Sequence, residues 1–499
     1  MKSSAIYWVL VVPLLAGCDT RSSSSGNSAS DAPSSTASGG PTTTTTSGGG
    51  PSTSSPLKVG ANYSIDISTF LPAGLPNATQ DLSTYFQQAV TQLCSASGPT
   101  GGAGGSIYLP ANKFKYIAHD ISVTCSGVTF FGDASTTVGS GTVWDYSLAS
   151  NSAISYEPAG FPSVTQSQLL SGNTVSNILF YDGNANDVTT TALVMNGFNY
   201  CAISNVGFAG SPYNAIRLHG GYNCSITNYT DNYYENAGTA LRGSAVTIIG
   251  DMTGRTRLGA ACSLGDCSTR VDLVNIYHLD HLGNNGVGIQ IIGSVFTTTI
   301  SYATLENESW GLQTSCPAGF PNGSYCPANI NMTDFESEGA SLGGMDLADA
   351  QGVRCEQCYV SAQSSTAGHD IYMHAVNYSG NGNLQINGGF FLNSRGSCIY
   401  ASGSNINISN ADITDCNAAN IGAAGIEITS GTDYTITGNQ LCKYLGAASG
   451  FAMSGVLVDS SATYASVNSN QFDGCTAGFG LVNSSSNTST ISTADNVGL

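Results

Sequence analysis

Four glutamates form two Glu-x-Glu pairs, Glu306 with Glu308 and Glu336 with Glu338, in a chain of which only 9% of the residues are charged. Each pair directly follows an apolar residue that ends a short repeated pattern. Because alternate residues of a β-strand face the same side, we expect all four carboxylates to point outward and to form a square on two neighbouring strands. Its sides would measure about 5 Å between strands and about 6.5–7 Å along a strand. Crowded carboxylates raise one another's pKa, so such a square can provide the acid and the base or nucleophile of glycoside hydrolysis.

Four further side chains are predicted to bind the substrate beside this square. Tyr234, His281 and Trp310 can stack on a sugar ring or hydrogen-bond to it. Gln363 takes the equivalent outward position on a later strand. Together with the glutamates, these residues predict a carbohydrate site that needs no cofactor.

Other interpretations of the acidic residues remain open. Glutamate after a buried apolar residue is a common solubilising choice on a sheet surface, and the same carboxylates also suit a calcium ion. Strand alternation points His278 and Asp280 inward, where we expect them to be buried and hydrogen-bonded. Asp346, Asp349 and Asp415 are isolated in the sequence and are interpreted as turn residues.

A repeated pattern must position these side chains. It consists of an apolar residue, a small or neutral residue (often Asn) two positions later, and usually an apolar residue three positions after that. Its spacing scatters around one turn of a parallel β-helix, and repeats of this kind stack as coils that bury their apolar faces on one another. The copies are Val175–Asn177–Phe180, Ile203–Asn205–Phe208, Ile226–Asn228–Asp231, Leu273–Asn275–His278, Ile300–Tyr302–Leu305, Ile330–Met332–Phe335, Cys355–Gln357–Val360, Ile386–Gly388–Phe391, Ile408–Asn410–Ile413, Ile436–Gly438–Leu441 and Val467–Ser469–Phe472.

The folded part begins with a helical pattern and then a strand. Apolar residues recur at helical spacing from Leu82 to Leu93 with Asp81 as a candidate cap, and Gly104 to Pro110 reads Gly-Gly-Ser-Ile-Tyr-Leu-Pro. This passage resembles the entry of pectate-lyase-like and phage-tailspike-like right-handed parallel β-helix proteins. The resemblance implies an all-β fold: a single-stranded right-handed parallel β-helix of about 12 coils with an N-terminal capping helix. It also implies a homotrimer as one assembly to expect, but it leaves the reaction open because this fold hosts lyases, hydrolases, epimerases and binding proteins.

The N-terminal segment reads as an export and anchoring signal. Residues 1–17 combine Lys2 with a short apolar run, and Leu15-Ala16-Gly17-Cys18 resembles a bacterial lipobox, which implies cleavage before Cys18 and acylation of its thiol. Residues 18–56, rich in Ser, Thr, Gly and Pro, predict a flexible tether. We assign 57–130 to the N-terminal cap and first coils and 131–499 to the β-helix. The protein is expected in the bacterial cell envelope, lipid-anchored to a membrane and facing the periplasm or the cell exterior.

The cysteines predict disulfides. Without Cys18 an even number remains in an exported chain. Cys355 and Cys358 could form a redox pair or join a zinc site, but no second pair stands at metal spacing and Cys355 occupies an inward repeat position. The pairs expected to be bonded are Cys201–Cys224, Cys262–Cys267 and Cys316–Cys326, followed by Cys94–Cys125, Cys398–Cys416 and Cys442–Cys475.

Charge and composition narrow the class of function. The net charge of −19 argues against nucleic acid as a partner, and the scarcity of Lys and Arg disfavours a polysaccharide lyase, which must neutralise a uronate. The sequence therefore predicts a carbohydrate-active surface protein whose partner is a polysaccharide, with glycoside hydrolysis as the first hypothesis. A non-catalytic glycan-binding or structural surface protein is the alternative, and a lyase is the second alternative.

Overall fold

The computed structural model describes residues 63–133, 141–231, 243–250, 270–283, 286–320, 326–361, 368–378, 382–418, 421–443, 454–472, 474–475, 480–483 and 491–498. The predictions for Cys18, Tyr234, Gln363 and the Cys262–Cys267 pair lie outside these residues. The described residues belong to one compact unit, Pro56–Leu499.

Parallel strands make up most of the described residues of this unit. The helices among its described residues are α1 (Ser83–Cys94) and two 3-10 turns, Ile67–Thr69 and Gln166–Gln168. The strands are β1 (Ser64–Asp66), β2 (Gly105–Leu109), β3 (Tyr116–Ile117), β4 (Ile121–Val123), β5 (Val128–Gly132), β6 (Val143–Asp145), β7 (Ser152–Tyr156), β8 (Leu170–Ser171), β9 (Thr174–Asp182), β10 (Thr191–Gly210), β11 (Asn214–Thr230), β12 (Ser244–Gly250), β13 (Val271–Leu282), β14 (Val287–Gly293), β15 (Val295–Glu306), β16 (Trp310–Ser315), β17 (Ala328–Glu338), β18 (Gly343–Ala348), β19 (Gln351–Glu356), β20 (Tyr359–Ser361), β21 (Ile371–His374), β22 (Gly382–Asn387), β23 (Phe390–Leu392), β24 (Ile399–Ser402), β25 (Ile406–Ser409), β26 (Asp412–Thr414), β27 (Ala424–Thr437), β28 (Gln440–Lys443), β29 (Ser454–Asn468), β30 (Gln471–Phe472), β31 (Leu481–Asn483) and β32 (Ile491–Ala494).

The strands stack in register as three parallel sheets, because the long strands bend at corners and contribute to more than one sheet. The first sheet aligns Val194 with Arg217 and Thr247, and the second sheet aligns the start of the repeat, Ile203 with Ile226. The third sheet includes the ends of β13, β15 and β17. This architecture confirms the predicted right-handed parallel β-helix.

The middle residue of the repeat turns the chain from the second sheet to the third. It adopts a positive φ, a conformation that Asn, Asp and Gly tolerate better than most residues. Two predicted copies are therefore wrong in position, because the corner residue is His278 in place of Asn275 and Asp334 in place of Met332. The corner residues are Asn177, Asn205, Asn228, His278, Tyr302, Asp334, Gln357, Gly388, Asn410, Gly438 and Ser469.

Helix α1 covers the first coils, as expected for the capping helix. Its buried residues include Phe86, Val90 and Leu93, and the ring of Phe86 lies 4.9 Å from that of Trp144. The Asp81 carboxylate accepts a hydrogen bond of 2.8 Å from the backbone N–H of Ser83, the first helical residue. The helix therefore shields the apolar interior of the stack from water at this end.

Six disulfides link the described cysteines. Cys201 and Cys224 join neighbouring coils with their Cα atoms 4.5 Å apart, and Cys316–Cys326, Cys94–Cys125, Cys398–Cys416 and Cys442–Cys475 also form as predicted. Cys355 and Cys358 bond to each other and are fully buried, which opposes the zinc-site interpretation. This number of disulfides indicates a periplasmic or extracellular protein. No helix within the described ranges has both the length and the hydropathy to cross a membrane.

Candidate functional site

Four carboxylates lie together on the outward side of the third sheet. Glu306 at the end of β15 is directly opposite Glu338 on β17. Thr304, two residues earlier on β15, is opposite Asp280 on one neighbouring strand and Glu336 on the other. Asp280 and Glu336 are thus diagonal neighbours of Glu306. Strand spacing places Glu306 and Glu338 about 4.8 Å apart at the backbone and the diagonal neighbours about 8 Å away.

Glu306 is the central carboxylate of this cluster. Partial burial and the negative charges of Asp280, Glu338 and Glu336 raise the pKa of Glu306 above its usual range. The Thr304 hydroxyl donates a hydrogen bond of 3.3 Å to Glu336, which orients that carboxylate. The cluster therefore combines a carboxyl group whose pKa is raised with other carboxyl groups beside it, an arrangement that acid–base chemistry can use.

A cavity of about 340 Å³ adjoins the carboxylates and has aromatic walls. Its lining includes His278 and Tyr302, which are corner residues, together with Asn228 and Asp280. The Asn228 side-chain oxygen lies 3.3 Å from His278 Nδ1. The bends at the corners turn His278 and Tyr302 away from the core, which explains why these large rings lie at the surface.

The exposed rings beside the carboxylates suit a sugar ligand. Tyr277 is 44% exposed and Tyr302 is 48% exposed, and the His278 ring lies 4.3 Å from the first and 5.3 Å from the second. Neither Lys nor Arg is among the described residues that line this cavity. A neutral ligand with an apolar ring face and several hydroxyl groups fits this combination.

Two of the predicted site residues face the interior of the stack. The prediction of an outward His281 is wrong, because the true corner at His278 shifts the alternation by three residues and buries His281 completely. The prediction for Glu308 is also wrong: Asn307 adopts a positive φ after the end of β15, and Glu308 becomes fully buried. Conversely, Asp280 and His278 face outward.

The buried residues form a polar network on the interior side of the third sheet, within the core of the stack. The Asp231 carboxylate accepts hydrogen bonds from the Tyr229 hydroxyl at 2.5 Å and the Leu282 backbone N–H at 2.8 Å, and lies 2.7 Å from His281 Nδ1. His281 Nε2 and both carboxyl oxygens of Glu308 are buried without a hydrogen-bond partner. The network therefore contains ionisable groups that water does not solvate.

Burial and charge perturb the pKa values of Glu308 and His281 in this interior network. Burial raises the pKa of Glu308 to about 7, although the nearby His281 opposes that rise. Burial alone would lower the pKa of His281, but Asp231 and Glu308 raise it overall. These groups are expected to affect stability, because no substrate can reach them without opening the stack.

Trp310 and Asp346 differ from their predicted positions, whereas Asp349 agrees with its prediction. Trp310 begins β16 on the first sheet and packs where Gly343 leaves space on the next strand, outside the lining of the aromatic cavity. Asp346 is not a turn residue, because it lies in β18 and is 2.7 Å from His374 Nε2. Asp349 does hold a turn, since its carboxylate accepts hydrogen bonds from successive backbone N–H groups.

The sequence signal for the missed residues was the corner position. Aligning the coils on the corner residues would have placed His278 and Tyr302 in one column, and Asp280 opposite Thr304 as a diagonal neighbour of Glu306. No group of three or more His, Cys, Asp or Glu side chains in the described segments is arranged to hold a metal ion.

Comparison with known proteins supports the fold. No protein-family model matches the chain, and no curated protein matches it. Among solved structures, DFA-IIIase from Arthrobacter chlorophenolicus A6 in complex with GF2 is 12% identical with a TM-score of 0.51, over 83% of this chain and 96% of that one. Tailspike protein 3 of bacteriophage CBA120 is 13% identical with a TM-score of 0.58, over 87% of this chain and 62% of the tailspike.

A third structure shares the architecture as well. The A-module of the mannuronan C-5 epimerase AlgE6 from Azotobacter vinelandii is 12% identical with a TM-score of 0.50, over 87% of this chain and 99% of that one. The structural similarity establishes a common right-handed parallel β-helix fold. At identities this low it shows the fold alone, so the activity of this chain must be argued from its own residues.

Proposed function

We propose that this protein is a carbohydrate-active enzyme that hydrolyses a polysaccharide at the carboxylates of the third sheet. The observation that carries the proposal is the position of Glu306, which lies among three other carboxylates and has a raised pKa. The adjoining aromatic cavity supports a sugar as the ligand. The neighbouring structures are named for a tailspike, DFA-IIIase and a mannuronan epimerase, which makes a carbohydrate a reasonable substrate class.

In the proposed mechanism Glu306 is the general acid. It donates its proton to the glycosidic oxygen while a carboxylate attacks the anomeric carbon or takes a proton from an attacking water. Glu338 lies directly opposite with the two backbones about 4.8 Å apart, and carboxyl groups on neighbouring strands can come close enough for direct attack and retention of configuration. Asp280 and Glu336 lie about 8 Å away diagonally, which suits activation of a water and inversion.

The lack of cationic side chains argues against a lyase as the first choice. β-Elimination from a uronate needs positive charge near the substrate carboxylate, and the described lining of the aromatic cavity contains neither Lys nor Arg. A non-catalytic glycan-binding protein is the second candidate, because the exposed rings of Tyr277 and Tyr302 would serve binding alone. The two candidates differ in whether removing the Glu306 proton donor abolishes product formation.

The test is a reducing-end assay of the soluble domain, the compact unit Pro56–Leu499, on a panel of extracellular polysaccharides. On a substrate that the wild type cleaves, Glu306→Gln should lower the rate at least about 100-fold, the usual effect of losing a positioned acid. Glu356→Gln is the matched control, since Glu356 lies at the end of β19 in the second sheet, and its rate should stay within about twofold. Full activity of Glu306→Gln, or binding without cleavage of every polysaccharide tested, would refute hydrolysis at this site.

Location and assembly complete the proposal. We place the protein in the bacterial cell envelope, anchored by a lipid on Cys18 and separated from the membrane by the tether 18–56. The lipobox-like residues before Cys18 support the anchor. A homotrimer is proposed from the resemblance to tailspike-like proteins.

A further inference from the structure

The first sheet carries a second cavity of about 340 Å³, outside the site described above. Its floor follows one column of outward residues on successive strands: Ser122 on β4, Ser155 on β7, Val194 on β10 and Arg217 on β11. Three strand spacings make this column about 14 Å long. The small side chains of the first three residues leave a trough, and the long Arg217 side chain lines the end of the column.

Two polar atoms in this trough are buried and lack a hydrogen-bond partner. Asn196 is 5% exposed, and its amide nitrogen donates a hydrogen bond of 2.5 Å to Glu157, but its side-chain oxygen accepts none. Nε of Arg217 is buried and donates to no acceptor. Leaving such groups unsatisfied costs free energy, so one free acceptor and one free donor in the same cavity indicate a polar ligand.

One cationic and two anionic side chains line the trough. Burial lowers the pKa of Arg217, and the charge of Glu157 opposes that shift, which agrees with a guanidinium and a carboxylate facing each other across the cavity. The Asp120 carboxylate also lines the trough, but it already accepts hydrogen bonds from the backbone N–H groups of Ser150, Asn151 and Ser152. A ligand therefore meets one available charge of each sign.

From this arrangement we infer that the trough binds a short segment of a neutral glycan. Its hydroxyl groups would donate to the side-chain oxygen of Asn196 and to Glu157, and its ring and hydroxyl oxygens would accept from Arg217. An anionic sugar would face the Glu157 and Asp120 carboxylates, and a cationic one would face Arg217. An apolar ligand would leave the unpartnered donor and acceptor unsatisfied.

This glycan-binding trough is separate from the proposed active site. The trough lies on the outward side of the first sheet, whereas the catalytic carboxylates lie on the third. A second site that holds a polymer while another site cleaves it would raise the local concentration of cleavable bonds. The trough binds its ligand whether or not the third sheet is catalytic, so the two proposals can fail independently.

The test is isothermal titration calorimetry on the soluble domain carrying Glu306→Gln and Tyr302→Ala, so that neither cleavage nor the aromatic cavity contributes. The probes are the neutral oligosaccharides maltohexaose, cellohexaose and a fructan of similar length, with hexagalacturonate and a glucosamine hexamer as charged comparisons. At least one neutral probe should bind. Adding Arg217→Met should weaken its binding at least about tenfold, because a charged donor is lost.

Two further variants make the outcome decisive. Ser155→Tyr fills the trough from an outward position and should abolish binding, whereas Arg395→Met removes an exposed arginine elsewhere and should leave the affinity within about twofold. Glu157→Gln keeps the size of the side chain and should also weaken binding, which covers the case in which Arg217→Met fails to fold. The inference is overturned if no neutral probe binds, if a charged probe binds more tightly, or if folded trough variants bind as well as the Arg395 control.

Discussion

Replacing the buried Glu308 by glutamine should make the protein more stable at alkaline pH. The folded-state pKa of Glu308 is about 7, against an ordinary value of 4.5, so the folded state favours the protonated carboxyl. Well below pH 4.5 Glu308 holds its proton in both the folded and the unfolded state, so its ionisation does not lower the free energy of unfolding. As pH rises from 4.5 to 7 the unfolded state ionises first, and the free energy of unfolding falls.

The size of this effect follows from the same two values. Each pKa unit corresponds to about 1.4 kcal/mol, so ionisation of Glu308 reduces the stability of the wild type by about 3 kcal/mol between pH 4.5 and 8. Glutamine cannot ionise and has a similar volume. Glu308→Gln should therefore match the wild type at pH 4.5 and exceed its stability by up to about 3 kcal/mol at pH 8.

Urea unfolding with the disulfides intact measures the difference directly. His281 also has a raised pKa, so it stabilises the fold at low pH and loses that contribution as pH rises. The part of this contribution that comes from Asp231 is common to the wild type and the variant, whereas the part that comes from the charge of Glu308 is absent from the variant. The measured quantity is therefore the gap between the two proteins at each pH. Glu338→Gln is the control, because Glu338 is exposed and its removal should change stability by less than about 0.5 kcal/mol. A gap that does not grow between pH 4.5 and 8 would refute the reasoning about burial.

Two further predictions concern the corner column and the anchor. Asn410 holds a positive φ and donates to the Asn387 side chain at 3.1 Å, so Asn410→Ala should lower the free energy of unfolding by about 2 kcal/mol through strain and the lost bond. Glycine tolerates the same φ, so Asn410→Gly should lower the free energy of unfolding by less than Asn410→Ala does. If urea unfolding gives the same decrease for both variants, strain in the backbone is not the cause of the destabilisation. Cys18→Ser should release the full-length protein from the membrane fraction, and sedimentation with membranes after a salt wash would contradict lipid anchoring.

Much of the fold could be predicted from the sequence because the coil repeat is local. Ile203 and Ile226 stack because each is the apolar residue that opens its copy of the repeat, and both are fully buried. Cys201 and Cys224 pair for the same reason, two residues before those positions. The helical pattern from Leu82 to Leu93 likewise predicted α1.

The candidate site was predicted only in part. Glu306, Glu336 and Glu338 face outward as expected, but the predicted partner of Glu306 was Glu336 and the observed one is Glu338. The error came from aligning coils on apolar residues, which are frequent enough to match at more than one offset. Asp280 was missed for the same reason, because an offset of three residues reverses which side of a strand a residue faces.

The sequence by itself determined that this chain forms a stack of parallel coils, since repeated apolar positions can be buried only on neighbouring copies. Only the tertiary structure decided which polar side chains face water, because a single residue with positive φ interrupts the strand alternation. His278 bends the chain at a corner and leaves His281 inside, and Asn307 ends a strand and leaves Glu308 inside. The trough beside Arg217 depends on contacts between coils distant in sequence, which no local pattern records.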